Sequence, residues 1–232
     1  MSRSKLLATA CAAAMFAGVA GPAAAADPKM PYKWYLSGFG GWTVTPDFDF
    51  SFTGGGCAAV KCNYSHSLDD GYVVGGAIGV IVNSNTRVEL ELSKSHAKVG
   101  NDYVGTNFGF VGAGERGHQD ITTGFVNAWF NTQWGFVSPY IGGGIGFGVV
   151  DAKLSTTNGA GLQYSGRDVG MAGQLGAGLR MPVGSNFELD LGYRVRGVLD
   201  ITVNPGAGIN ATAINSENFI THSFQAGLTV KF

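Results

Sequence analysis

Ser95, His96, Glu115 and His118 bring a hydroxyl, two imidazoles and a carboxylate into one short stretch of the chain. These are the components of a nucleophile, a base and an orienting group, but closeness along a chain does not supply their geometry. Solvated loop residues account for them equally well. No catalytic residue is therefore assigned, and the chain is not expected to be an enzyme. Cys57 and Cys62 sit in a Gly-rich stretch with His66 nearby. In an oxidising compartment two such cysteines are expected to close a small surface loop as a disulfide. Three candidate ligands without a recognisable spacing are weak grounds for a metal, so none is assigned. Gly142-x-Gly144 could suggest a phosphate loop, yet such a loop needs a following helix. No cofactor is expected.

The remaining reactive groups are charges arranged with a period of two. In Arg87-Val88-Glu89-Leu90-Glu91-Leu92 the charged residues share one face of a strand and the apolar residues the other. The stretch from Phe187 to Arg196 repeats the idea with Glu188, Asp190, Arg194 and Arg196 on one face. Arg180 and Lys231 extend the same charged set.

What positions these residues must be a sheet. Strands are expected near 34–45, 72–82, 86–95, 120–131, 138–150, 168–181, 186–198 and 219–232. Short links near 83–85, 132–137 and 182–185 alternate with long ones near 46–71, 96–119, 151–167 and 199–218. Each strand approaches the 9–11 residues that cross a bilayer at a tilt. Short turns on one side and long loops on the other are the pattern of a transmembrane barrel.

Composition agrees with that reading. Charged residues make up 13% and aromatics 12%, and 38 residues are glycine. A soluble domain carries roughly twice that share of charge. Arg3 and Lys5, the apolar run from Leu6 to Val19, and Ala24-Ala25-Ala26 form a secretory signal peptide, so residues 1–26 are set apart from a barrel over 27–232. A retained N-terminal anchor and a lipoprotein site at Cys11 suit this stretch less well. Setting aside Arg3 and Lys5, the 15 basic and 16 acidic residues leave a mature net charge of about −3, with no basic patch for nucleic acid. The mature sequence has no apolar run long enough for a membrane helix. Of structures that satisfy their backbone in lipid, a closed barrel remains.

Facing the apolar residues to lipid places Val88, Leu90, Leu92, Leu189, Leu191 and Tyr193 outside. Arg87, Glu89, Glu91, Arg180, Glu188, Asp190, Arg194, Arg196 and Lys231 then form an interior network. An eight-stranded barrel is narrow enough for side chains to fill it, and buried charges persist when paired. Glycines 142, 144, 146 and 148 are expected to face inward and make room for Tyr35 and Phe39 from the opposite wall. Trp34, Tyr72, Phe130, Trp134, Tyr140, Phe219 and Phe232 are expected at the membrane boundaries. The expected fold is all-β: an eight-stranded antiparallel up-and-down barrel with a polar, filled interior.

The segments Arg87–Leu92, Pro139–Gly146, Gln174–Arg180, Leu189–Arg194 and Gly227–Phe232 resemble the small outer-membrane β-barrel family of opacity-type proteins and OmpA-like membrane domains. The likeness spans most of the mature chain through short, degenerate motifs. It implies a Gram-negative, alphaproteobacterial source and an outer-membrane location. It also implies recognition by the barrel-assembly machinery through Phe224, Leu228, Val230 and Phe232. Expected partners are outer-membrane lipids and an unidentified ligand of the loops, for a monomer that binds no nucleic acid. The expected role is a surface or structural barrel serving envelope integrity, adhesion or antigenic display. The alternatives are a narrow channel, a lipid-modifying enzyme, or a soluble lipocalin-like carrier with the opposite facing.

Overall fold

The computed structural model describes residues 33–45, 48–54, 62–66, 69–98, 102–106, 109–113, 115–156, 163–201, 211–212 and 217–232. The proposed signal peptide and Cys57 lie outside them. Cys62 falls within a strand, but its side chain is outside the described part.

Eight long antiparallel strands close into a barrel. They are β1 (Trp34–Val44), β4 (Gly71–Asn83), β5 (Thr86–Lys98), β8 (Glu115–Asn131), β9 (Ser138–Thr156), β10 (Gln163–Pro182), β11 (Phe187–Ile201) and β13 (Glu217–Lys231). Each pairs with its neighbour along the chain, and β1 closes the ring against β13. The sequence periodicity locates all eight, and the main departure is at their outer ends. There β8, β9 and β10 run several residues beyond the expected limits. Past the bilayer both faces of a strand meet water, so alternation stops marking the strand while backbone pairing continues.

Short strands pair among the long connections. β2 (Phe48–Gly54), β3 (Cys62–His66), β6 (Asp102–Thr106), β7 (Gly109–Ala113) and β12 (Ala211–Thr212) form a second sheet in the order β12-β2-β3-β6-β7. Its strands come from three different loops. The other end of the barrel has tight connections, with Gly135 and Gly184 in the left-handed region (φ 61° and 97°). Those two turns need glycine for that reason.

The register fixes the barrel's shape. Following paired residues from Trp42 through Phe224 and Tyr193 leads to Ala177 on β10. Following them the other way, through Tyr72, His96, Asp120 and Asp151, leads to Arg167 on the same strand. The stagger is therefore ten residues. With a rise of about 3.3 Å and a strand spacing of about 4.8 Å, that stagger tilts the strands by about 40°. Each residue then climbs about 2.5 Å along the axis, and the backbone wall has a radius of about 8 Å. Side chains can fill a tube that narrow.

Close packing inside relies on small residues. A Cβ on Gly144 would strike the Asn127 side chain, and one on Gly79 would strike the Tyr35 ring. Gly142 faces the Trp129 ring in the same way. Gly142 and Gly144 of β9 thus make room for side chains of the adjacent β8, and Gly148 for Val198 of β11, rather than for Tyr35 and Phe39. Tyr35 takes its space from Gly79 on neighbouring β4. Inward side chains in a tilted barrel lean along the wall, so near neighbours reach the gap first.

Candidate functional site

Two places concentrate reactive side chains: the lumen, and the outward face at the loop end. The lumen is built by parity. Odd residues of β1, β4, β5, β8 and β13 and even residues of β9, β10 and β11 turn inward, and their partners on each strand turn outward. Leu90, Leu92, Leu175, Leu189, Leu191 and Phe224 are among the exposed apolar residues on the outer wall.

The nearer two-thirds of the lumen, counted from the tight turns, holds the charges. Arg87 donates through both terminal nitrogens to Glu188 on the opposite wall, at 2.6 and 3.0 Å. Lys231 reaches the same carboxylate at 3.1 Å. Arg180 pairs with Asp190 at 3.1 Å while its guanidinium lies 4.1 Å from the Tyr140 ring centre. Arg196 crosses the barrel to Glu91 at 2.9 Å, and both side chains are almost completely buried, at 6% and 1% exposure. All nine charges expected inside by parity are inward-facing.

Glu89 and Arg194 are held differently. Glu89 accepts hydrogen bonds from Tyr35, Asn127 and the Trp129 indole, and forms no ion pair among the described residues. Arg194 lies 4.0 Å from the centre of the Trp129 ring and donates to the Tyr140 hydroxyl. Asn127 and Gln174 complete the ring around Glu91. These neutral partners carry no charge signal in the sequence. Only their inward parity could have marked them.

Two boundary aromatics need correction. Tyr140 and Phe219 are each 4% exposed and face the lumen, not the membrane interface. Tyr140 donates to Asp190. Phe219 joins Ile121, Phe125, Val150, Ala172 and Val198 in an apolar cluster across the loop end of the lumen. Trp34, Phe130, Trp134 and Phe232 are exposed at the turn end, and Tyr72 at the loop end. Two cavities among the described interior side chains, one beside Arg196 and Val198 and one beside Tyr35 and Glu91, have room for one or two waters each.

Ser95, His96 and His118 are not brought together as a catalytic set. Ser95 turns inward and donates weakly to the Ile121 carbonyl. His96 and His118 turn outward, with ring centres 5.7 Å apart, and the Glu115 side chain is outside the described part. Adjacent residues on a strand point to opposite faces, so Ser95 and His96 cannot cooperate. Instead Asp120 accepts from His96 at 2.6 Å and from Lys94 at 2.8 Å.

A closed antiparallel barrel with its charges inside and its apolar residues outside is the inverse of a soluble carrier. Residues 9–232 match the family described as outer membrane protein beta-barrel domain. The chain belongs to that family. Curated proteins provide no sequence match. Among solved structures the chain is similar to the outer membrane protease OmpT from Escherichia coli, at 8% identity and a TM-score of 0.55. That similarity covers 88% of this chain and 99% of the other. It is also similar to the outer membrane protein OprG from Pseudomonas aeruginosa, at 12% identity and a TM-score of 0.51, covering 87% and 96%. Neisserial surface protein A matches at 12% identity and a TM-score of 0.48, covering 86% and 97%. At these identities the family's shared property is the barrel in the outer membrane. Membership places this chain there too, and rules out the soluble-carrier alternative.

Proposed function

We propose that this protein is a non-conducting surface barrel that acts through its external loops, with adhesion as the role of the loop sheet. One observation supports this best: the lumen is filled from wall to wall by ion pairs below and apolar side chains above. A filled barrel leaves its loops as the part able to meet a partner, since loops carry function on a rigid scaffold. Here three loops contribute to one backbone-paired sheet. Pairing reduces the entropy that separate loops would lose on binding. The scheme has no catalytic step. Phe224, Leu228 and Val230 share the outward face of β13 and Phe232 follows it directly, a placement that suits reading by the barrel-assembly machinery.

The test uses bacteria displaying the full-length chain on surfaces coated with host matrix or host cells. Adherence should fall to background when the connections at 46–70 and 202–216 are replaced by short turns. The barrel of that variant should still migrate faster unboiled than boiled. Unchanged adherence of that folded variant would sink the proposal. So would steady single-channel conductance of the purified wild type in planar bilayers, which would favour the narrow channel.

A further inference from the structure

The sheet built from the loops keeps the register of the barrel wall. Thr43 pairs with Gly71 at the end of β1–β4, and Phe48 with His66 at the start of β2–β3, five steps on along one strand and five back along the other. Likewise Tyr72 pairs with His96 and Ser65 with Tyr103, seven steps on both strands. β2, β3 and β6 therefore carry on β1, β4 and β5 in the same order and register. The sheet rises from the wall with its strands running along it. β7 carries on β8 after a slip of one residue, since Lys98 pairs with His118 and Asp102 with Ala113.

β7 is the last strand of this sheet, and among the described residues it pairs with β6 alone. An open edge offers a row of backbone donors and acceptors to another chain. Such edges are ordinarily guarded by charges, by proline or by being very short. The opposite edge, β12, has two residues. β7 reads Gly109-Phe110-Val111-Gly112-Ala113, with neither charge nor proline. Its pairing with β6 sets aromatic residues against glycines: Phe110 stands opposite Gly105, and Gly112 opposite Tyr103.

We propose that β7 pairs edge to edge with β7 of a second copy of this chain, held in a facing membrane. In the antiparallel sense a strand edge is its own complement, related by a two-fold axis. All five residues of β7 take part when Val111 stands opposite Val111 of the second copy. Phe110 then stands opposite Gly112 of the second copy, which repeats the aromatic–glycine pairing inside each sheet. No charge on the strand opposes the contact. Strand direction decides where the second copy lies. β7 leads down into β8, which crosses its own membrane. An antiparallel partner must run the other way, into a membrane on the far side. A copy in the same membrane presents β7 running in the same sense and cannot make this pair. The contact thus joins two cells. It rests on the reading of the loop sheet as an adhesive surface and names a partner for it.

The experiment reconstitutes the folded chain into phosphatidylcholine vesicles at low ionic strength and follows their clustering by light scattering. Wild-type vesicles should cluster. Val111→Lys vesicles alone and Val111→Glu vesicles alone should stay dispersed, because each sets like charges directly opposite across the two-fold axis. Mixed in equal amounts, the two should cluster again, and both should keep the gel mobility shift. Clustering of Val111→Lys vesicles at the wild-type rate would overturn the proposal, as would no recovery on mixing. A second variant reads the contact without adding charge. In a chain whose native cysteines are replaced by serine, Val111→Cys should give a disulfide-linked dimer when clustered vesicles meet a mild oxidant. Absence of that dimer would also overturn self-pairing. Dispersed wild-type vesicles, with displaying bacteria still adhering to host matrix, would overturn it in favour of a foreign strand and leave the adhesion reading standing. Loss of both would contradict both.

Discussion

Replacing Arg196 with methionine should destabilise the barrel by about 3–5 kcal/mol, because it leaves Glu91 ionised and unpaired in a closed interior. Glu91 is 1% exposed at its side chain, and its partner crosses the lumen from β11. Asn127 and Gln174 also donate to Glu91, but neutral amides cannot replace a guanidinium's charge. The variant E91Q/R196M should recover most of the loss. Glutamine keeps an acceptor for the two amides and no longer needs a counter-charge. Urea unfolding in lipid vesicles, followed by tryptophan fluorescence, measures both variants. A single-variant loss within about 0.5 kcal/mol would mean that the pair is solvated and that the lumen is wetter than described.

The second large effect concerns the other face of the same strand. Leu90→Arg should cost about 2–4 kcal/mol, the penalty for a cation near the bilayer midplane on a lipid-facing wall. Leu90 is 60% exposed and lies between Val88 and Leu92 on the outward face of β5. Two rows above, Lys94 is tolerated because its flexible stem carries the ammonium toward the headgroups and Asp120. The contrast between positions 90 and 94 is a test of depth as well as of facing. The same vesicle unfolding assay reads it. Unchanged stability would mean that Leu90 faces water or protein.

These two predictions also mark what the sequence makes legible. In β5 and β11 one face is charged and the other apolar, so alternation reveals the strand, its facing and its partners across the lumen. It cannot do this for the apolar plug. Val149 and Val150, or Val198 and Leu199, are apolar on both faces, so nothing distinguishes lumen from lipid there. Position along the strand alone puts Tyr140 and Phe219 at the membrane boundary. Parity, which places Tyr140 with the inward glycines of β9, is the better guide. The neutral donors around Glu89 lie beyond any charge pattern. The rim pairing of His96 with Asp120 depends on register between β5 and β8, which the long connection of residues 99–114 leaves undetermined.

Facing is the central claim, and adjacent positions on β5 test it most directly. In a chain whose native cysteines are replaced by serine, Leu92→Cys and Ser93→Cys are each reconstituted into vesicles. A thiol reagent dissolved in the bilayer is then added. Leu92→Cys should be modified, whereas Ser93→Cys, buried beside Thr123 inside the barrel, should resist modification until the protein is unfolded. Modification of Ser93→Cys with protection of Leu92→Cys would turn the barrel inside out and contradict the account.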